Sequence, residues 1–308
     1  MIQATDLRVD YDGVTAVEDL TLTIGAGEVF GLIGPNGAGK TSTIRVMATL
    51  QQPTYGDVRI AGIDIAEDPG AAHQILGYMP DNPPVYGDLR CWEFLDLFAG
   101  AYFVDRRDRR RRVDELIEQV GLTSKRSVLA GTLSTGMKQR LVLAKTLLPD
   151  PQVLLLDEPA SGLDPLARID LRELLKKEAA RGKTILVSSH ILTELSTFCT
   201  SIGIMEKGRL LESGKIEDII SRLNRRKRIT VILLETSESA VRMIEQFDHV
   251  SNVERSGAQI EFEFAGLDQD IVQLLRSLVN AGLPVMSFTE RRMGVEDILL
   301  HVGAKEVS

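Results

Sequence analysis

The feature that most restricts the fold of this chain is a glycine-rich run, Gly34-Pro35-Asn36-Gly37-Ala38-Gly39-Lys40-Thr41, between segments of different periodicity. Ahead of it, Val29, Phe30, Leu32 and Ile33 form a short apolar block, the pattern of a strand buried on both faces of a parallel sheet. Behind it, Ile44, Met47 and Ala48 recur at helical spacing, and helix signals stop near Leu50, ahead of Pro53. Strand, tight turn and helix in that order predict an α/β architecture. The spacing of Gly, four residues and Gly-Lys-Thr is the phosphate-loop (Walker A) pattern. Its glycines let backbone N–H groups curl around phosphate oxygens. The helix behind the loop aims its positive end at the same place. Lys40 supplies a point charge for the β and γ phosphates, and the Thr41 hydroxyl a position for Mg²⁺. Gly34 through Thr41, with Ser42, is the predicted nucleotide-binding stretch.

A phosphate loop alone leaves kinases, GTPases and many ATPases open. Further along, Val153-Leu154-Leu155-Leu156 is an apolar strand that runs into Asp157-Glu158-Pro159. This is a Walker B arrangement, in which Asp157 holds Mg²⁺ and Glu158 polarises the attacking water or accepts its proton. Thr184 to Val187 is another apolar run, followed by Ser188-Ser189-His190. Ligands of open parallel sheets sit beyond the carboxyl ends of the strands. Lys40, Asp157, Glu158 and His190 all fall just past such ends, so one site can gather them, with His190 against the γ phosphate.

Leu133-Ser134-Thr135-Gly136-Met137-Lys138-Gln139-Arg140 resembles the signature motif of ABC ATPases, with Thr135 and Met137 where Gly and Gln are usual. Ser161-Gly162-Leu163-Asp164-Pro165 resembles the D-loop of that family, His190 its switch histidine, and Tyr11 the aromatic residue that stacks on adenine. The resemblance spans roughly residues 2–220, with the motifs in the family's order. It implies a RecA-like P-loop core, a small β-subdomain and a helical subdomain at about 84–150. It also implies a head-to-tail dimer, in which Ser134 and Gly136 of one copy meet the ATP of the other. On the sequence itself, Met137, Leu141, Ala144 and Leu148 form a helical stripe, and Ser134 is placed as its N-cap. One position departs from the family. The usual glutamine after Gly77-Tyr78-Met79-Pro80 is Asp81, which keeps an oxygen for Mg²⁺ but loses the amide donor and adds a charge.

No apolar run approaches the ~18 residues of a membrane span. Phe94 to Val104 is interrupted by Asp96 and Gly100, and the start of the chain has no signal-peptide pattern. The resemblance therefore implies an ATPase on the cytoplasmic face of a membrane, working through a separate permease. Trp92 and Phe94 are candidates for the socket that takes a permease helix. The net charge of −8 argues against bulk nucleic-acid binding, and the basic cluster Arg106 to Arg112 reads as a solvated helix face. Cys91 and Cys199 read as packed thiols in a reduced compartment, with no metal-site spacing.

Composition changes after Asn224, giving predicted domains of 1–224 and 225–308. Past the charged hinge Arg225-Arg226-Lys227-Arg228, the order of signals is strand, helix, strand, strand, helix, strand, with Ile260, Phe262 and Phe264 alternating cleanly. That order predicts a ferredoxin-like α/β domain. Val295 to Leu300 resembles the terminal helix of the ABC-2 exporter subfamily, which implies an ABC-2-type permease as partner. A soluble ABC ATPase acting on ribosomes or DNA is disfavoured, since one cassette is visible and no long coiled-coil insertion fits between Lys40 and Ser134. A P-loop kinase or GTPase leaves the signature motif unexplained.

Overall fold

The computed structural model describes residues 1–82, 84–223 and 227–291, and the chain divides into two compact units, 1–216 and 217–308. In the first unit, β1 (Ile2–Tyr11), β2 (Val14–Ile24) and β3 (Val29–Ile33) lead through the glycine loop into α1 (Lys40–Met47). Next come β4 (Tyr55–Ile60), β5 (Ile63–Asp64), α2 (Pro69–Ile75) and β6 (Leu76–Met79). Three helices follow: α3 (Cys91–Ala101), α4 (Arg106–Gln119) and α5 (Thr135–Leu147). The unit continues with β7 (Val153–Leu156), α6 (Pro165–Ala180), β8 (Thr184–Ser189), α7 (Leu192–Leu195), β9 (Ser201–Glu206) and β10 (Arg209–Lys215).

The central sheet has the order β10-β9-β3-β8-β7-β6. Its inner strands run parallel, and only β10 pairs antiparallel, on β9. Every residue of β3, β7 and β8 is buried, which is why those strands read as unbroken apolar blocks. A second, antiparallel sheet, β2-β1-β4-β5, packs into the same core. Its first two strands are 10 and 11 residues long. Their alternation is hidden by a bulge: Ile2 and Ala4 face inward, the register shifts at Asp6 (φ 48°), and Leu7 and Val9 resume the inward row.

α3, α4 and α5 pack on one another as a helical layer. The basic run in α4 is only partly a solvated face. Arg111 pairs with Asp108 and Glu115 across the exposed surface, but Arg112 donates to the carbonyls of Leu147 (2.7 Å) and Leu148 (3.5 Å). It thereby satisfies backbone oxygens at the end of α5, the helix that begins at Ser134. Trp92 is half-buried beneath Arg126, whereas Phe94 is a core residue, 1 % exposed.

α8 (Ile216–Leu223) spans the boundary between the units. The second unit holds β11 (Lys227–Leu233), α9 (Glu238–Glu245), β12 (Val250–Ser256), β13 (Gln259–Phe264), α10 (Asp268–Asn280) and β14 (Val285–Arg291). Its sheet has the order β12-β13-β11-β14 with every pairing antiparallel, the ferredoxin-like arrangement. Ile260, Phe262 and Phe264 are buried beside Ile229, Val231 and Leu233. Slipping β13 by one residue would expose its three apolar side chains, at about 5–9 kcal/mol, so its register is firmly set. The segment Val295 to Leu300 lies outside the described residues, as do Arg225 and Arg226.

Candidate active site

The loop after β3 is pressed between neighbouring backbones. A Cβ at Gly34 would lie 2.2 Å from the carbonyl oxygen of Met205, and one at Gly39 (φ 99°) would lie 2.4 Å from that of Ala16. Side chains are sterically barred at both positions, the second also by its left-handed backbone. Ala38 is buried; its N–H donates to the Pro35 carbonyl (3.2 Å), and its carbonyl accepts from Gly208 N–H (3.1 Å). Pro35, Asn36 and Gly37 form the exposed rim, and Thr41 and Ser42 are half-buried in the first turn of α1. Lys40 is 6 % exposed and reaches back over the loop, donating from Nζ to the Gly34 carbonyl (2.7 Å) and the Pro35 carbonyl (3.2 Å). The same ammonium lies 3.4 Å from Glu158 Oε1.

Parallel pairing of β3, β8 and β7 brings their carboxyl ends side by side. Gly34 N–H donates to the Ser189 carbonyl (3.4 Å), and Asp157 N–H to the Met79 carbonyl (2.9 Å). Glu158 takes a left-handed backbone (φ 47°), a turn that releases its side chain from the strand's alternation. Its Oε2 is 3.0 Å from His190 Nδ1. Lys40, Glu158 and His190 thus form a contiguous row, with Asp157 next to it. Ser188, which the sequence patterns do not single out, holds this corner together. Its hydroxyl accepts from Glu158 N–H (2.8 Å) and donates to Asp157 Oδ1 (2.7 Å), and the residue is fully buried.

The other carboxylate oxygen, Asp157 Oδ2, is buried with no hydrogen-bond partner. A buried orphan of this kind costs energy unless something compensates it, and a hard divalent cation fits that need. Among the described residues no three His, Cys, Asp or Glu side chains cluster to hold a metal by themselves. Mg²⁺ is commonly held by one or two protein oxygens plus substrate phosphates. Asp81 is exposed and does not join Asp157 and Glu158 in such a cluster. It still feels them: partial burial first, then the Asp157 and Glu158 carboxylates, push its carboxyl above the ordinary range.

Two further predicted residues take up definite positions. The Tyr11 ring, 41 % exposed, stands over the start of α1, with its hydroxyl 3.2 Å from Ser42 Oγ and donating to Gln51. Ser134 caps α5, its hydroxyl accepting from Met137 N–H at 3.4 Å. A Cβ at Gly136 would touch Leu163 Cδ2 at 3.0 Å, so the first turn of α5 abuts the loop that follows Glu158. That loop ends at Asp164, which caps α6 by accepting from Ala167 N–H (2.9 Å).

Known proteins of one family resemble this chain. Residues 17–161 match the family model described as ABC transporter. The ABC transporter ATP-binding protein YhcH of Bacillus subtilis (strain 168) is 40 % identical over 219 residues, covering 71 % of each chain. The bacitracin transport ATP-binding protein BcrA of Bacillus licheniformis is 32 % identical over 299 residues, covering 96 % of this chain and 95 % of its own. A solved dimeric ATP-binding cassette in a post-hydrolysis state with ADP and Pi superposes with a TM-score of 0.65 at 25 % identity, over 70 % of this chain and 99 % of its own. On motif order, sheet topology and identity across most of its length, this chain belongs to the ATP-binding proteins of ABC transporters.

Proposed function

We propose that this ABC ATPase energises export through a separate membrane permease, with hydrolysis carried by Glu158 and His190 beside the phosphate loop. The supporting observation is the row Lys40–Glu158–His190, built from residues far apart in sequence at adjoining strand ends. In this reading the backbone of Gly34 to Gly39 and the ammonium of Lys40 bind the phosphates, while Tyr11 stacks on adenine and Ser42 sits beneath it. Glu158 orients a water and takes its proton, and His190 steadies the carboxylate and the γ phosphate. Thr41 and Asp157 would hold Mg²⁺, with Asp81 at the margin, and the ion would neutralise phosphate charge when bound. Ser134 and Gly136 supply the end of α5 to the ATP of a second copy, giving a head-to-tail dimer.

Among the described residues no helix is long and apolar enough to cross a membrane, so the reading places the span on a partner and the chain at the cytoplasmic face. An aromatic row on the helical layer suits that partner: Tyr86, 56 % exposed, stacks on Phe98 at 6.0 Å, and Phe98 lies 6.3 Å from Tyr102. An ABC-2-type permease is the partner the subfamily resemblance favours; nucleic acid is not. In the same reading, residues 1–224 are the motor and 225–308 an accessory domain.

The test is ATP affinity and phosphate release by the purified chain, alone and with its permease. Lys40→Ala is expected to lose both, because the phosphates lose their main compensating charge. Glu158→Gln is expected to keep MgATP and lose most turnover. Near-normal turnover in both variants would overturn the assignment.

A further inference from the structure

We propose that Arg168 and Glu194 form a tie that positions His190 from the loop Ser161–Pro165, making both of them positioning residues for hydrolysis; the inference rests on the reading of Glu158 and His190 as the hydrolytic pair. Arg168 lies in the first turn of α6, directly after that loop. Its Nε donates to the Leu163 carbonyl (3.1 Å), and its Nη1 donates to Glu194 Oε1. The second oxygen of Glu194 accepts from Ser189 Oγ (3.5 Å), which in turn accepts from Ile191 N–H (3.0 Å). His190 stands between Ser189 and Ile191, so the Ser189 hydroxyl pins the backbone on both sides of it. The imidazole then meets Glu158 at 3.0 Å. One continuous chain of contacts therefore runs from Leu163 through Arg168, Glu194 and Ser189 to His190 and Glu158.

One side of this segment is open, although Leu195 at the end of α7 is buried against the sheet. A cavity of about 380 Å³, lined by Pro159, Ala160, Arg168, Ser189, Glu194 and Phe198, lies against it. Room on that side would let residues 189–191 shift once the polar restraints are removed. The guanidinium suits the task because its planar fork serves a carbonyl and a carboxylate together, which an ammonium on a flexible stem does less well. Leu163 also touches the position of a Cβ on Gly136. The tie thus gives the histidine a mechanical link to the end of α5.

The test is single-turnover hydrolysis by the full chain, with ATP affinity measured separately, for Arg168→Met, Arg168→Lys and Glu194→Gln in wild-type and His190→Ala backgrounds. The His190 ring resonance is followed by NMR in the same variants. Arg168→Met is expected to slow turnover by roughly ten- to a hundredfold, since a misplacement of about 1 Å can cost ~10²-fold. ATP affinity should hold and the His190 resonance should move. Arg168→Lys should recover part of the rate, Glu194→Gln should resemble Arg168→Met, and no variant should lower the rate further once His190 is alanine. Equal rate losses in both backgrounds, or an unmoved rate and resonance, would overturn the tie. If His190→Ala and Glu158→Gln themselves turn over normally, the hydrolytic reading fails instead, and the resonance still decides whether Arg168 positions His190.

Discussion

Replacing Ser188 with alanine removes one oxygen and leaves the corner of the site without its clamp. Ser188 is 0 % exposed, and its hydroxyl serves Glu158 N–H at 2.8 Å and Asp157 Oδ1 at 2.7 Å. In the variant, a part-buried N–H and a buried carboxylate oxygen both lose their partner. Each orphaned group costs about 1–3 kcal/mol, so the loss of stability should be about 2–6 kcal/mol. Glu158 already holds a left-handed backbone, which costs of order 1–3 kcal/mol and needs its surroundings to maintain it. Without the bond to Ser188 that backbone can relax and swing the carboxylate away from His190. Calorimetry on the full chain should show the cassette transition lowered by roughly 4–24 °C, at about 2–4 °C per kcal/mol for a unit of this size. Phosphate release should fall while ATP affinity, which rests on the loop, changes much less. A melting point within about 1 °C of wild type together with unchanged turnover would refute the clamp.

Two other outcomes follow from the same geometry. The Asp81 carboxyl is raised by burial and by neighbouring carboxylates, so its ionised form opposes folding at pH values above its own pKa and not when it is protonated. Asp81→Asn should therefore raise the melting temperature of the metal-free protein at pH 7, with the gain fading by about pH 3, below the ordinary carboxylate range; a gain that persists at low pH would rule out burial and carboxylate repulsion as its cause. Residues 1–224 expressed alone should fold and bind ATP, since every cassette motif precedes the second domain; an insoluble fragment would show that residues 225–308 complete the core.

Much of this architecture is legible in the sequence because burial on both faces writes itself as uninterrupted apolar letters. β3, β7 and β8 are of that kind, and the loop, the Asp157-Glu158 pair and His190 follow directly at their ends. The alternation of Ile260, Phe262 and Phe264 marks the second domain in the same way. Other elements are hidden for physical reasons. β1 has its period broken by the bulge at Asp6. β9 is buried through Ser201 and Gly203 as well as Ile202, Ile204 and Met205, so its letters carry no apolar run. α6 has a start signal in Asp164 and Pro165, but its buried face is Ala167, Leu174, Leu175 and Glu178, too sparse and mixed to read as an apolar stripe. The roles of Ser188, Arg168 and Glu194 depend on partners 5 to 31 positions away. No local pattern encodes which polar side chain a buried hydroxyl or guanidinium will meet.

A composite site, with Lys40 and Glu158 from one copy and Ser134 from another around each ATP, is the centre of the proposed mechanism. The most direct measurement is light scattering of Glu158→Gln with MgATP, repeated with Ser134→Arg added and repeated on the complex assembled with the permease. Slowed hydrolysis should let the closed dimer accumulate, stabilised by bound nucleotide through mass action. The arginine should abolish it, because a bulky cation at the cap of α5 replaces an anion-binding helix end. Dimer with ATP in the single variant and monomer in the double is the predicted result; a double variant that closes as readily as the single would reduce Ser134 to a helix cap and contradict the composite site.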